Sequence, residues 1–251
     1  MSEGRYIYCI AECSEKLSLG KIGIDDNDVY TIPCQDISAV VHDCSRKSHK
    51  SKGDDIVKMW TMTHECVVES AMERWCGVLP LSFDTIVKAE DGRSLEGVVM
   101  DWLEEEYHKL KENIDRVKGK LEYSVKVFSD TKIITERIVK SDEDLPEETA
   151  HTYKLKLKDT LRQRIQEETA RYYHEFYKDI RSAVNDVKVA KLKGEDEQGQ
   201  MLMNLSCLCG EGIADKLGEQ LEKISSIRGF SVRFIGPKPP YSFVGAQIEV
   251  K

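Results

Sequence analysis

The residues of this chain best suited to chemistry are its eight cysteines and six histidines. His42 and Cys44 stand two apart, as do His64 and Cys66, and Cys207 and Cys209 would share one face of a strand. Each pair is ligand-capable, but a zinc site would need two of them to converge. No cysteine lies in a C-x-x-C pair, so neither a zinc ribbon nor a thioredoxin-type dithiol is indicated. The thiols read instead as small buried hydrophobes. The remaining signatures fail on spacing. His64-Glu65 has Val68 where a zinc-protease helix needs its second histidine. Cys209-Gly210-Glu211-Gly212 has Asp215 where a dinucleotide loop needs a third glycine, and Glu211 puts negative charge at the phosphate position. There is no G-x-x-x-x-G-K-[ST] loop and no G-x-S-x-G elbow. Glu147/Glu148 and Glu167/Glu168 are helix neighbours whose side chains diverge. Without a convergent cluster the chain reads as a non-enzyme, with no catalytic, cofactor or metal residues assigned.

A second kind of chemistry, contact with a partner, is suggested near the end. In Gly236-Pro237-Lys238-Pro239-Pro240-Tyr241-Ser242-Phe243 three prolines fix φ and remove three backbone donors. The chain is expected to leave its sheet there as a stiff extended arm, with Tyr241 and Phe243 two apart and pointing the same way. Such an arm either covers a core edge or grips a partner, so Tyr241, Phe243, Pro239 and Pro240 are the candidate partner-binding residues.

The elements that would position these residues divide at Gly119/Lys120. Ahead of it, strands are expected at Tyr6–Ala11 and Ile37–Val41, with a possible short one at 29–32. A helix follows, started by Asp54 or Asp55 and stopped by Gly77, with an inward stripe of Ile56, Met59/Trp60, Val67, Ala71 and Trp75. Val78–Leu81 with Phe83 is expected to form a short buried strand or turn. One helix runs from Asp91 or Ser94 to Gly119. Beyond the junction the order is a strand from Lys120, a short helix, a long helix over about 147–183, strands at 187–192 and 201–208, a helix at 211–227 and a strand at 230–235. That is a βαββαβ, ferredoxin-like pattern with an extra long helix. At nearly ten turns the long helix either projects or breaks. A polar hairpin at 193–200 and an edge strand at 244–250 complete an α+β reading in two domains, 1–119 and 120–251.

Four phrases carry a resemblance. Tyr6-Ile7-Tyr8-Cys9-Ile10, Val78-Leu79-Pro80-Leu81-Ser82-Phe83-Asp84-Thr85, Lys120–Val127 and the Gly236–Phe243 octapeptide stand in the order found in the gas vesicle protein F/L family, which the chain resembles over nearly its whole length. It departs from that pattern at Lys238, where an aromatic is usual, and at Asp84, where glycine is usual. The resemblance implies an accessory protein of gas vesicle formation. Its partners would be the small hydrophobic shell protein and other gas vesicle accessory proteins, and its task nucleation or assembly of the shell.

Composition agrees with that class. The chain has 251 residues, 40% hydrophobic and 33% charged, with a net charge of −8. An acidic protein is poorly suited to nucleic acid or anionic lipid. The start, Met1–Arg5, has no signal region, and no apolar run approaches the roughly 18 residues of a membrane span, so a cytoplasmic place beside the gas vesicle is expected. The alternative is a ferredoxin-like regulatory module that binds a small molecule or senses metal or redox state, a reading that rests on fold analogy.

Overall fold

All eight residues of the first strand, β1 (Gly4–Ala11), are buried, where one-face alternation was expected. The reason is its central place in a six-stranded sheet. On one side it pairs antiparallel with β4 (Ile37–Cys44), and on the other with β5 (Val78–Pro80) and β6 (Ile86–Lys88) in succession. With β2 (Ser18–Gly20) and β3 (Val29–Cys34) the order is β2-β3-β4-β1-β5, and β6 is added to β1. In the computed structural model the described residues are 4–45, 53–88, 93–141, 151–192, 194 and 199–244.

Helix α1 (Asp54–Arg74) lays His64, Val67, Val68 and Ala71 against Tyr6, Tyr8 and Val40 of the sheet. Ile56 and Met59, expected in the inward stripe, are exposed. The inward row is instead 60-64-67-68-71, and Met59 lies off it on the helix surface. Gly53 is the N-cap, while Asp54 and Asp55 occupy the first turn, where they complement the helix dipole. The helix stops at Arg74, before Gly77. That glycine serves close approach, since a Cβ there would collide with the Glu12 side chain. Glu12 is held in place by Lys111 at 2.7 Å and Lys118 at 2.6 Å.

The single helix expected before Gly119 is two, α2 (Leu95–Glu105) and α3 (Tyr107–Val117). The backbone tightens at Glu106 (φ −94°, ψ 3°), whose N–H still reaches the Trp102 carbonyl at 3.0 Å, so the axis is bent without losing that bond. Ser94 caps α2, its hydroxyl accepting from the Gly97 N–H at 3.0 Å.

The second sheet has the order β10-β7-β9-β8, from β7 (Lys120–Ser129), β8 (Asp186–Val189), β9 (Gln200–Gly210) and β10 (Phe230–Lys238). Its helices are α4 (Thr131–Ser141), α5 (His151–Ser182) and α6 (Ile213–Ser226). Val125, Val127, Met203, Leu205, Cys207 and Cys209 meet Phe176 and Ile180 of α5 and Leu217, Leu221 and Ile224 of α6. The long helix does not break: α5 is continuous over 32 residues, about 48 Å at the standard rise.

The fold is mixed α/β in two compact units, Met1–Glu122 with Lys238–Lys251, and Tyr123–Pro237. The chain from Lys238 groups with the first unit, whereas a single boundary at Gly119/Lys120 would leave it in the second. The first residues of the expected long helix, 147–150, most of the 193–200 hairpin and all but the first residue of the strand expected at 244–250 lie outside the described residues. Among the described residues no helix is long and apolar enough to cross a membrane.

Candidate partner-binding site

The proline segment does not behave as a free arm. Strand β10 continues through Gly236 and Pro237 to Lys238, three residues past the expected exit. Pro239 and Pro240 are buried, and the chain then closes into a 3-10 turn at Tyr241–Phe243. Two short bonds make the turn: the Tyr241 N–H donates to the Pro239 carbonyl at 2.8 Å, and the Phe243 N–H to that of Pro240 at 3.0 Å. Proline suits these positions because both supply only carbonyls there. The turn also separates the two rings that an extended arm would have aligned. Phe243 is wholly buried, whereas Tyr241 keeps part of its surface exposed.

A carboxylate fastens the turn. Glu122 has no exposed surface, and it accepts from the Ser242 N–H at 2.8 Å and from the Ser242 hydroxyl at 2.7 Å. The Lys238 ammonium lies 3.1 Å from the same carboxylate. A buried anion is tolerated only with such partners, and here three donors converge on it.

The Tyr241 ring faces the His64 imidazole, with centroids 6.2 Å apart. His64 belongs to a buried polar chain. Its Nε2 lies 3.1 Å from the Leu81 carbonyl, which can only accept, so Nε2 carries the proton and Nδ1 accepts from the Tyr6 hydroxyl at 2.9 Å. That hydroxyl in turn accepts from the Asp84 N–H at 3.0 Å. Burial lowers the His64 pKa to about 4, against a smaller upward pull from the Leu81 carbonyl. Burial raises the phenol pKa of both Tyr6 and Tyr241. The Tyr241 hydroxyl is buried and, among the described residues, has no hydrogen-bond partner. The chain of bonds is closed and internal, so it organises the core and exposes no reactive group.

The structure brings His42 and His64 to the same Tyr6 and Tyr8 rings, but it does not gather the cysteines around them. His64 is buried on the inner side of α1 while Cys66 is exposed, and Cys9, Cys13, Cys34, Cys207 and Cys209 are buried. Burial raises the thiol pKa of Cys44 and Cys209, each to about 11. No group of three His, Cys, Asp or Glu side chains placed to hold a metal occurs among the described residues.

Two residues that matter here, Glu122 and Ser242, carry no signal of their role in the sequence. Glu122 sits in an alternating strand where a polar residue reads as solvent-facing, and nothing local marks it as buried. Ser242 stands between two aromatics with nothing to distinguish it. Lys238, by contrast, stands out in the sequence, and it supplies the ammonium beside Glu122.

Residues 4–245 match the family model described as gas vesicle synthesis protein GvpL/GvpF. The chain belongs to this family. Gas vesicle protein L1 of Halobacterium salinarum is 29% identical over 262 residues, covering 97% of this chain and 91% of that protein. Gas vesicle protein L of Haloferax mediterranei is 29% identical over 237 residues, covering 88% of this chain and 72% of the relative. The fold is that of crystal structures of the gas vesicle protein GvpF. The one from Anabaena sp. PCC7120 superposes with a TM-score of 0.73 at 20% identity, over 99% of this chain and 100% of that one. The one from Microcystis aeruginosa gives 0.68 at 18% identity, over 96% and 99%. As a GvpL/GvpF family member the protein has a role in gas vesicle formation.

Proposed function

We propose that this protein is a non-catalytic accessory factor that binds the hydrophobic gas vesicle shell protein and assists nucleation or assembly of the shell in the cytoplasm. The observation that carries this reading is apolar surface left open along edge strand β10: the neighbours Phe234 and Ile235, on its two faces, are 42% and 51% exposed. Of the large hydrophobics exposed among the described residues, these two are adjacent on a sheet edge, which suits contact with an apolar protein. An edge strand also offers its outer backbone groups to an extended segment. Holding a client's apolar surface until it joins the growing shell stabilises the soluble client by mass action.

Of the residues expected at a partner contact, Tyr241 keeps accessible surface, and we assign it the direct role. Pro239, Pro240 and Phe243 are buried and act as the fastening that sets where β10 ends. The strand order β10-β7-β9-β8, with α5 and α6 as crossovers, supports a ferredoxin-like reading of the second unit.

The test is co-expression with the shell protein. Wild-type protein is expected to hold shell protein in the soluble fraction and to restore gas vesicles to a strain lacking it. Phe234→Asp with Ile235→Asp should keep the wild-type melting temperature and lose both activities. A double variant that retains shell protein in solution would sink the strand-edge contact, and a wild type that never co-purifies with shell protein would sink the function itself.

A further inference from the structure

Helix α1 turns an unusual face to solvent. Ile56 is 45%, Met59 53% and Met62 64% exposed, where the inward side already buries His64, Val67, Val68 and Ala71. Met59, Met62 and Cys66 follow one another at i, i+3 and i+7, so they form one stripe up the outer side of the helix. Ser70 and Glu73 continue the line. There the stripe enters an open depression of about 390 Å³, whose far wall is Leu19 and Ile22. From Met59 to Glu73 the face is about 21 Å long at 1.5 Å per residue, four turns of a partner helix.

Charge says what fits. The exposed ionisable residues of α1 are Asp54, Asp55, Glu65, Glu69 and Glu73 against Lys58 and Arg74. Lys58 lies near Asp55 at 3.7 Å, and the Arg74 guanidinium lies over the Trp75 ring. Glu65, Glu69 and Glu73 make no ion pair among the described residues. Methionine is the side chain that adapts best to apolar surfaces of varied shape, and a row of carboxylates beside it selects lysine and arginine. Anionic lipid and nucleic acid are repelled by the same carboxylates.

We propose that the outward face of α1, from Met59 to Glu73, docks a basic amphipathic helix of a partner protein. The apolar side of that helix covers Met59, Met62 and Cys66 and enters the depression beside Ile22. Its lysines or arginines meet Glu65, Glu69 and Glu73. This goes beyond the strand-edge contact of β10 and uses none of its residues, so either can fail without the other.

The experiment uses the full chain and a fluorescein-labelled 18-residue peptide of leucine and lysine with leucines at helical i, i+3, i+4 spacing. Anisotropy should show saturable binding that weakens with salt, and a scrambled peptide of the same composition should bind at least tenfold more weakly. Met59→Glu with Met62→Glu, and separately Glu65→Lys with Glu69→Lys and Glu73→Lys, should each weaken binding at least tenfold at unchanged melting temperature. An environment-sensitive maleimide dye on Cys66, in a Cys76→Ser background, should shift its emission when the amphipathic peptide is added and stay unchanged with the scrambled one. Equal binding of both peptides, full binding by either variant, or an unmoved dye would overturn the proposal. So would self-association of the free protein that disappears in the methionine variant, which would give the face to a second copy of this chain.

Discussion

The carboxylate of Glu122 accepts both the N–H and the hydroxyl of Ser242, at 2.8 and 2.7 Å, across 120 residues of sequence. These bonds and the Lys238 ion pair fix the Lys238–Ser242 segment to the start of β7. The turn thus belongs to the folded unit, and its stability depends on a buried charge being answered.

The first expectation follows from that charge. In Lys238→Met the Glu122 carboxylate stays buried with its counter-ion removed, which should cost about 3 kcal/mol or more in denaturant unfolding. Adding Glu122→Gln should recover much of the loss, because the amide carbonyl still accepts from Ser242 and no charge remains. A double variant as unstable as the sum of the two singles would show the pair to be uncoupled.

The two rings of the turn should respond in opposite ways. Phe243→Ala empties a wholly buried site and should lower stability by about 3–5 kcal/mol. Tyr241→Phe removes a buried hydroxyl that lacks a partner among the described residues, so it should leave the melting temperature unchanged or raise it. A clear drop for Tyr241→Phe would mean that the hydroxyl does find a bond in solution.

His64 links stability to pH. Its folded pKa is held at about 4 by burial, below the ordinary 6.5, so the unfolded chain takes up a proton first as pH falls. The stability of neutral His64 is whole above pH 6.5 and drains away between 6.5 and about 4, by roughly 3 kcal/mol at the lower end. His64→Gln can keep a donor for Leu81 and an acceptor for Tyr6 without titrating. It should flatten that window, as read from melting temperatures measured at intervals from pH 7 to 4.

Much of this architecture was legible because it is periodic. The alternation in Leu121–Val127 and the helical spacing of Leu217, Leu221 and Ile224 report which side faces the core, and the structure buries Val125, Val127 and those three helix residues. What was not legible depends on distance in sequence. The short strands β2 and β6 have three residues each and acquire strand form by pairing with β3 and β1, not from their own pattern. An apolar side chain at helical spacing points Met59 inward, yet the row actually used is set by the sheet below α1. The proline octapeptide was recognisable as a special segment, but its conformation is decided by Glu122, and no local rule connects the two.

Asp84, which stands where relatives of this family are expected to carry glycine, offers the last test. Its φ is +67°, the left-handed region, and its N–H supplies the bond that orients the Tyr6 hydroxyl toward His64. Aspartate tolerates that backbone better than most residues, and glycine adopts it at no steric cost. Asp84→Gly should therefore fold with near wild-type stability, while Asp84→Ala should lose about 1 kcal/mol relative to Asp84→Gly through backbone strain alone. Since the N–H survives in both, the His64-dependent fall in melting temperature between pH 6.5 and 4 should persist in each. Alanine and glycine variants of equal stability would show that the turn relaxes to an ordinary φ.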